Sequence, residues 1–283
     1  MLILIIFVFI TLLLNPDIAA LCVVESSRSW LLKLVPILYP NLIIVDLLLS
    51  NHSLSMISCY LFKPFHKIFG IRYYKSSLIL ILSIICGCPA STKMIKSALD
   101  NNDIDNQEAN SLIYSTSCLS IPYVIYVLNL FEINIAFYYL LFIILMIITL
   151  RITNKGNSNV NYTCEINKIS PLKTLLTSIS NNINIMISIL GIMIFFNIIL
   201  SIFKVNGYIY PYFELLNGHI ILTTLTIKKE LKEIIAISSL SFLGISIHLQ
   251  ILFVYPDIKY LKFLFFRLIS SLVISLCFFF PIT

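Results

Sequence analysis

Long apolar runs, separated by short polar stretches, set the pattern of this chain. The runs occupy residues 2–14, 31–50, 76–99, 111–131, 137–150, 173–204, 207–225, 234–254 and 259–280. Apolar runs of about 20 residues predict helices that cross a bilayer, whereas a membrane β-barrel would show shorter, alternating segments. Asn15-Pro16-Asp17 predicts a turn after the first run, and 18–29 reads as an amphipathic or interfacial helix ending near Trp30. The polar stretch "DNNDIDNQEAN" (100–110), the group "KKELKE" (228–233) and Tyr255-Pro256-Asp257 predict turns between helices. The longest polar stretch, 151–172, reads as a linker rich in Gly, Asn and Ser. The expected organisation is therefore an N-terminal helix and interfacial segment (1–30), a first half (31–150), a polar linker (151–172) and a second half (173–283).

Composition gives the reason for this pattern. Of 283 residues 59% are hydrophobic and only 11% charged, and the mean hydropathy is +0.98. Soluble domains carry about a quarter charged residues, so much of this surface faces lipid. The expected class is an all-α, polytopic membrane protein. The net charge of +6 is spread over loops and forms no basic stripe interleaved with aromatics, so nucleic acid is not an expected partner. The seven cysteines read as small core residues without a disulfide framework. Cys86, Cys88 and Cys118 match no common metal spacing, and no metal or cofactor is expected. Residues 2–14 lack a preceding Lys or Arg and a small-residue cleavage site, which favours a retained helix over a cleaved signal. Basic clusters at 63–75 and 151–173 point to the cytoplasm. Lys228, Lys229 and Lys232 form a third cluster, whose side depends on how many segments fully cross.

Several apolar runs contain residues that stop helices. Gly87-Cys88-Pro89, Ser120-Ile121-Pro122, Asn217-Gly218 and Gly244-Ile245-Ser246 are four expected breaks, two in each half. Broken backbone in lipid leaves unpaired amides and carbonyls, so it is tolerated only where protein or a polar cavity surrounds it. "STSCLSIPYVI" (115–125) aligns without gaps on "SLSFLGISIHL" (239–249) at an offset of 124 residues, with four identities. Paired breaks at that offset favour an internal duplication, and two inverted halves with discontinuous helices are the expected plan.

The polar residues beside the breaks are the candidate site: Gly87, Pro89, Lys93, Ser117, Pro122, Glu214, Asn217, Gly218, Gly244, Ser246 and Gln250. Half-helix N-termini attract anionic or polar solute groups. Glu214, a carboxylate inside an apolar stretch, is the leading candidate, against the reading of an interfacial Glu after Tyr210-Pro211-Tyr212. Lys93 either meets a solute carboxylate or phosphate, pairs with Glu214, or snorkels to the interface. Ser246 and Gln250, four apart on one face, either bind solute or join two helices. Asp46 is either a coupling-ion ligand or, preferred, the partner of Lys33 or Arg267. Arg267 is expected to pair with an acid. His219 and His248 are read as packed residues in preference to proton relays. No hydrolase-like set with recognisable spacing occurs, and an enzyme is not expected.

At these residues the chain resembles YlbJ-type sporulation integral membrane proteins. "GCPASTKMIKSALDNNDIDNQEANSLIYSTSCLSIPYVI" is similar to their Gly-Tyr-Pro-x-Gly-Ala-Lys segment, Glu-Ala turn and polar run ending in Pro, with Gly87, Pro89, Lys93, Glu108-Ala109 and Pro122 in place. "FELLNGH" (213–219) resembles their Glu-x-x-x-Gly element, and "SFLGISIHLQ" (241–250) their Gly-Gly-Leu-Ser-x-x-x-Gln element, with Arg267 following. Trp30, Pro36 and Pro40 fit the early Trp and Pro positions. Cys88, Ser91, the run Ser115-Thr116-Ser117-Cys118 and Leu243 depart from the pattern. The resemblance implies a nucleoside-recognition (Gate) domain in a bacterial cell-membrane protein, including membranes around the forespore, serving spore-envelope (cortex) formation. Its implied partners are lipid and an unidentified small polar or anionic solute, with room for a coupling ion and for a homo-oligomer. A structural or assembly protein that keeps this fold without transport is the alternative.

Overall fold

The computed structural model describes residues 9–49, 52–154 and 171–279. Among these residues there is no strand, and six helical runs are long and apolar enough to cross a membrane. The chain is an all-α, multi-pass membrane protein.

The first of these runs is a continuous rod, Pro16–Leu49. It joins α1 (Pro16–Ser29) to α2 (Val35–Leu49) through one π-helical stretch, Trp30–Leu34. The segments 18–29 and 31–50, read separately in the sequence, form one element here. Pro36 explains the local widening. It has no N–H for the preceding turn, and its ring crowds the carbonyl four residues back, which a π turn accommodates. The helix α3 (His52–Phe69) follows and packs on α4 (Tyr74–Cys86). Ser58 on α3 hydrogen-bonds Ser77 at 3.0 Å.

At about 1.5 Å per residue, α4 is roughly 20 Å long, too short for a hydrocarbon layer of about 30 Å. The chain turns at Gly87-Cys88-Pro89, where the Cys88–Pro89 peptide is cis, and returns as α5 (Ala90–Asp100). Next comes a crossing in two pieces, α6 (Asn106–Thr116) and α7 (Ile121–Leu130), and then the unbroken α8 (Ile135–Thr153). After α9 (Pro171–Ile202) the order recurs. A short α10 (Tyr210–Phe213) breaks at Glu214 and returns as α11 (Leu215–Thr224). A second two-piece crossing, α12 (Lys229–Phe242) and α13 (Gly244–Val254), precedes the unbroken α14 (Tyr260–Phe279). Helices starting at 90, 106, 121 and 135 thus have counterparts starting at 215, 229, 244 and 260, at offsets of 123 to 125 residues.

Contacts fix which turns share an end of the bundle. At one end Arg72 pairs with Asp105 at 2.6 Å and with Glu108 at 3.2 Å, and Lys75 pairs with Asp103 at 2.5 Å. Gln107 donates to the Thr153 carbonyl, and Asn110 accepts from the Lys259 amide. At the other end Lys229 pairs with Glu132, and Lys232 donates to the Thr223 carbonyl. The hairpin α4–α5 therefore opens at the first end, and α10–α11 opens at the second. The cluster Lys228, Lys229 and Lys232, unassigned from sequence, lies at the end opposite Arg72 and Lys75.

The two broken crossings form the centre. In each of them 78% of the most apolar window is buried, against 28% for α8 and for α14 and 33% for α9. The unbroken helices face lipid with large side chains such as Leu140, Phe195 and Phe265.

One cysteine departs from the sequence reading. Cys59 is disulfide-bonded, whereas Cys22, Cys86, Cys88, Cys118 and Cys277 are free. An odd cysteine count does not exclude a bridge, and an apolar setting does not prevent one.

Candidate functional site

Within each half the two breaks touch. Gly87 sits at φ 67°, ψ −176°, a backbone region that is essentially glycine's alone. A Cβ there would lie 2.1 Å from the Ser120 amide nitrogen. The Cys88 amide donates to the Cys118 carbonyl at 2.6 Å, so the first break satisfies a carbonyl that the second leaves free. The second half repeats this contact. Gly244 (φ 53°) has its Cβ position 3.0 Å from the Leu215 side chain and 3.2 Å from the Pro211 carbonyl oxygen.

Two of the breaks lie a few residues from their expected positions. Asn217-Gly218 is inside α11, and the chain breaks at Glu214 instead, which is extended at φ −131°, ψ 116°. Gly218 serves packing: a Cβ there would meet the Pro211 backbone at 2.5 Å. The last break is centred on Leu243, in the left-handed region at φ 79°, with Ser246 already in the following helix. The second break is the stretch 117–120, and Pro122 sits in the first turn of α7, where a missing amide costs nothing.

All four breaks border one cavity of about 40 Å³. Cys88, Leu119 with Ser120, Glu214 with Leu215, and Ser246 with Gln250 come from the four breaks and their flanks. Leu34, Leu38, Ile189 and Met193, from the rod and α9, close it with an apolar wall. A water needs on the order of 10–15 Å³ of such space, so the cavity holds a few waters. Drug-sized ligands occupy about 300–1,000 Å³, so the conformation is closed to them.

Of the sequence candidates, Glu214, Ser246 and Gln250 line this cavity. Gly87, Pro89, Gly218 and Gly244 shape the breaks around it. The Glu214 side chain accepts from the Leu216 amide at 3.1 Å and the Asn217 amide at 2.8 Å, capping α11. The positive end of that half-helix is thus already occupied by the protein's own carboxylate. Asn217 contributes its backbone amide. Ser117 stands apart, its hydroxyl bonded to the Ile113 carbonyl. The Gln250 carboxamide and the Ser120 and Ser246 hydroxyls, all in residues at most 4% exposed, belong to the polar part of this lining.

Lys93 does not join Glu214. Its ammonium lies 2.5 Å from Asp46 and 2.7 Å from the Asn182 carboxamide oxygen. The same Asp46 oxygen accepts from Ser178 and, at 3.1 Å, from Asn182. Asp46 therefore pairs with Lys93, not with Lys33 or Arg267. The cluster ties the returning arm α5 to the rod and to α9. Arg267 also departs from its expected role: it meets no acid among the described residues. It donates to the Ser117 carbonyl at 2.5 Å and the Tyr114 carbonyl at 2.6 Å. These carbonyls terminate α6, and a buried cation there satisfies the groups that the break orphans. His219 contacts Tyr123 and Ser239, and His248 contacts Phe242 and Tyr260, in line with packed roles.

Sequence reasoning passed over the lining residues Cys88, Ser120 and Tyr123, and also Asn182 with Ser178. The last two had a signal: they are four apart at the polar start of α9. It also missed that Glu108, fully buried, is the partner of Arg72. Burial lowers the Arg72 pKa, but the Glu108 and Asp105 carboxylates outweigh it and hold the guanidinium above its ordinary value.

Comparison with protein-family models, with curated proteins and with solved structures finds no match for this chain.

Proposed function

We propose that this is a transporter-like membrane protein built from two inverted, Gate-like halves, with its solute site where the four breaks converge. The observation that carries this reading is that convergence itself: two hairpins from opposite ends and two broken crossings border one cavity. Interrupted helices meeting at mid-bilayer are how many secondary transporters build a binding site. Polar groups at Ser120, Ser246 and Gln250 supply donors and acceptors there. Among the described residues Glu214 is the one acid on the lining, which holds no base. That balance favours an uncharged or cationic polar solute over an anion. The resemblance to YlbJ-type proteins adds spore-envelope formation as the cellular setting.

The test is water access from each side. Ser120→Cys and Ser246→Cys, in a background with Cys86, Cys88 and Cys118 replaced by Ser, are treated with a membrane-impermeant thiol reagent in right-side-out and inside-out vesicles. Both positions are expected to label from both sides, more slowly than an exposed control at Thr226. No labelling at either position from either side would remove the carrier reading. That outcome would leave the second reading, a scaffold, which the small size and apolar wall of the cavity favour. Flux in proteoliposomes carrying Glu214→Ala and Gln250→Ala then separates transport from simple access. Transport unchanged in both would take these residues out of the site.

A further inference from the structure

A second recess, of about 800 Å³, opens on the side of the bundle at its first end. Its mouth is formed by Asn106, Gln107 and Asn110 from α6, Thr153 from α8, and Lys259 and Lys262 at the start of α14. Deeper in, Tyr114, Phe265 and Phe266 form an apolar floor, and Ile152 and Leu261 supply apolar surface at the level of the mouth. Tyr114 and Phe266 stack there at 5.6 Å between ring centroids. From Asn106 to Tyr114 the helix descends about 12 Å at 1.5 Å per residue, so polar mouth and apolar floor are separated along the membrane normal.

Charge at this mouth is one-sided. Among the described residues no acid lines the recess, and Lys259 and Lys262 form no ion pair. The nearby acids are engaged elsewhere: Asp105 and Glu108 with Arg72, Asp103 with Lys75, and Asp100 with Lys96. Asp257 stands outside the lining. The apolar side of the recess is open to lipid, with Leu261 81% and Phe265 59% exposed. A cationic mouth above an apolar trough matches one kind of molecule, an amphiphile with an anionic head.

We propose that this recess binds an anionic phospholipid, with its phosphate at Lys259 and Lys262 and its acyl chains along Ile152, Leu261 and Phe265. The site lies at the end rich in Arg72, Lys75 and Arg151, the end that the distribution of basic residues assigns to the cytoplasm, where anionic lipid is concentrated. The proposal is independent of whether the central cavity carries a solute.

The test is native mass spectrometry of the full chain released from nanodiscs of equal phosphatidylglycerol and phosphatidylcholine. The wild type is expected to retain phosphatidylglycerol at least fivefold over phosphatidylcholine. Lys259→Gln with Lys262→Gln should bring the ratio near one, while the control Lys204→Gln with Lys228→Gln, at the other end, should leave it unchanged. Phe265→Ser, which spares both lysines, should lower total retained lipid. Excess inorganic phosphate should not displace the lipid. Equal retention of both lipids by the wild type, an unchanged ratio in the double variant, or full displacement by phosphate would each overturn the proposal.

Discussion

Substituting Gly87 by Ala tests the contact on which the central geometry depends. The added methyl carbon would lie 2.1 Å from the Ser120 nitrogen, 2.3 Å from the Leu119 carbonyl carbon and 2.7 Å from the Ser120 Cα. All three are backbone atoms, so no side-chain rotation relieves the clash. Alanine in this region of φ and ψ costs about 1–3 kcal/mol. Forcing the two breaks apart adds about 1–3 kcal/mol of overpacking. With about 2–4 °C of Tm per kcal/mol for a chain of this order of size, Gly87→Ala should lower Tm in detergent by roughly 5–20 °C. Two companions calibrate the result. Gly218→Ala has no dihedral penalty but meets the Pro211 backbone at 2.5 Å, so it should fall between Gly87→Ala and wild type. Gly191→Ala, with nothing within 4 Å, should match wild type or gain up to about 1 kcal/mol of helix propensity. Thermal unfolding followed by fluorescence-detected size exclusion reads all three. If Gly87→Ala melts with Gly191→Ala, the breaks do not touch and the argument for a shared cavity fails.

Arg267→Met leaves the Tyr114 and Ser117 carbonyls without a donor in the buried centre. Two hydrogen bonds to a charged group, each worth about 1.5–3 kcal/mol, predict a loss of several kcal/mol in the same assay, with Arg267→Lys restoring part of it. For Asp46 and Lys93, the double variant should be destabilised by less than the sum of the two single changes, Asp46→Asn and Lys93→Met. A coupling of about 0.5–3 kcal/mol is expected from a double-mutant cycle, and additivity would show that the pair does not interact. The Glu132 carboxyl titrates below its usual range because Lys229 donates to it and is charged beside it. The pairing is therefore complete above the ordinary carboxyl pKa and is lost as pH falls through the depressed one. Lys229→Gln should raise the Glu132 midpoint in an NMR titration, and an unmoved midpoint would contradict the contact.

Most crossings were legible because lipid imposes long apolar runs, and 137–150 and 259–280 correspond closely to α8 and α14. The existence of breaks was legible too, because glycine and proline within such runs have few other uses. Their exact placement was not. Asn217-Gly218 looks like an interruption, yet a carboxylate two residues upstream of the first amides can terminate and restart a helix without glycine. Leu243 takes positive φ together with Gly244, the natural candidate beside it, and nothing in a leucine side chain signals that. Polar partnerships were the least legible, since Lys93, Asp46 and Asn182 are far apart in sequence and no local rule joins them. The same holds for Arg267, whose partners are carbonyls, which every residue carries and no sequence marks.

The hairpins have a geometric consequence. Each arm, α5 or α11, is only about 15 Å long and hangs from its own side of the bundle. Either could swing outward on its turn while the other stayed shut, as one door of an airlock opens with the second still closed. The small chamber between them would then communicate with one compartment at a time, without any relative tilting of the long lipid-facing helices.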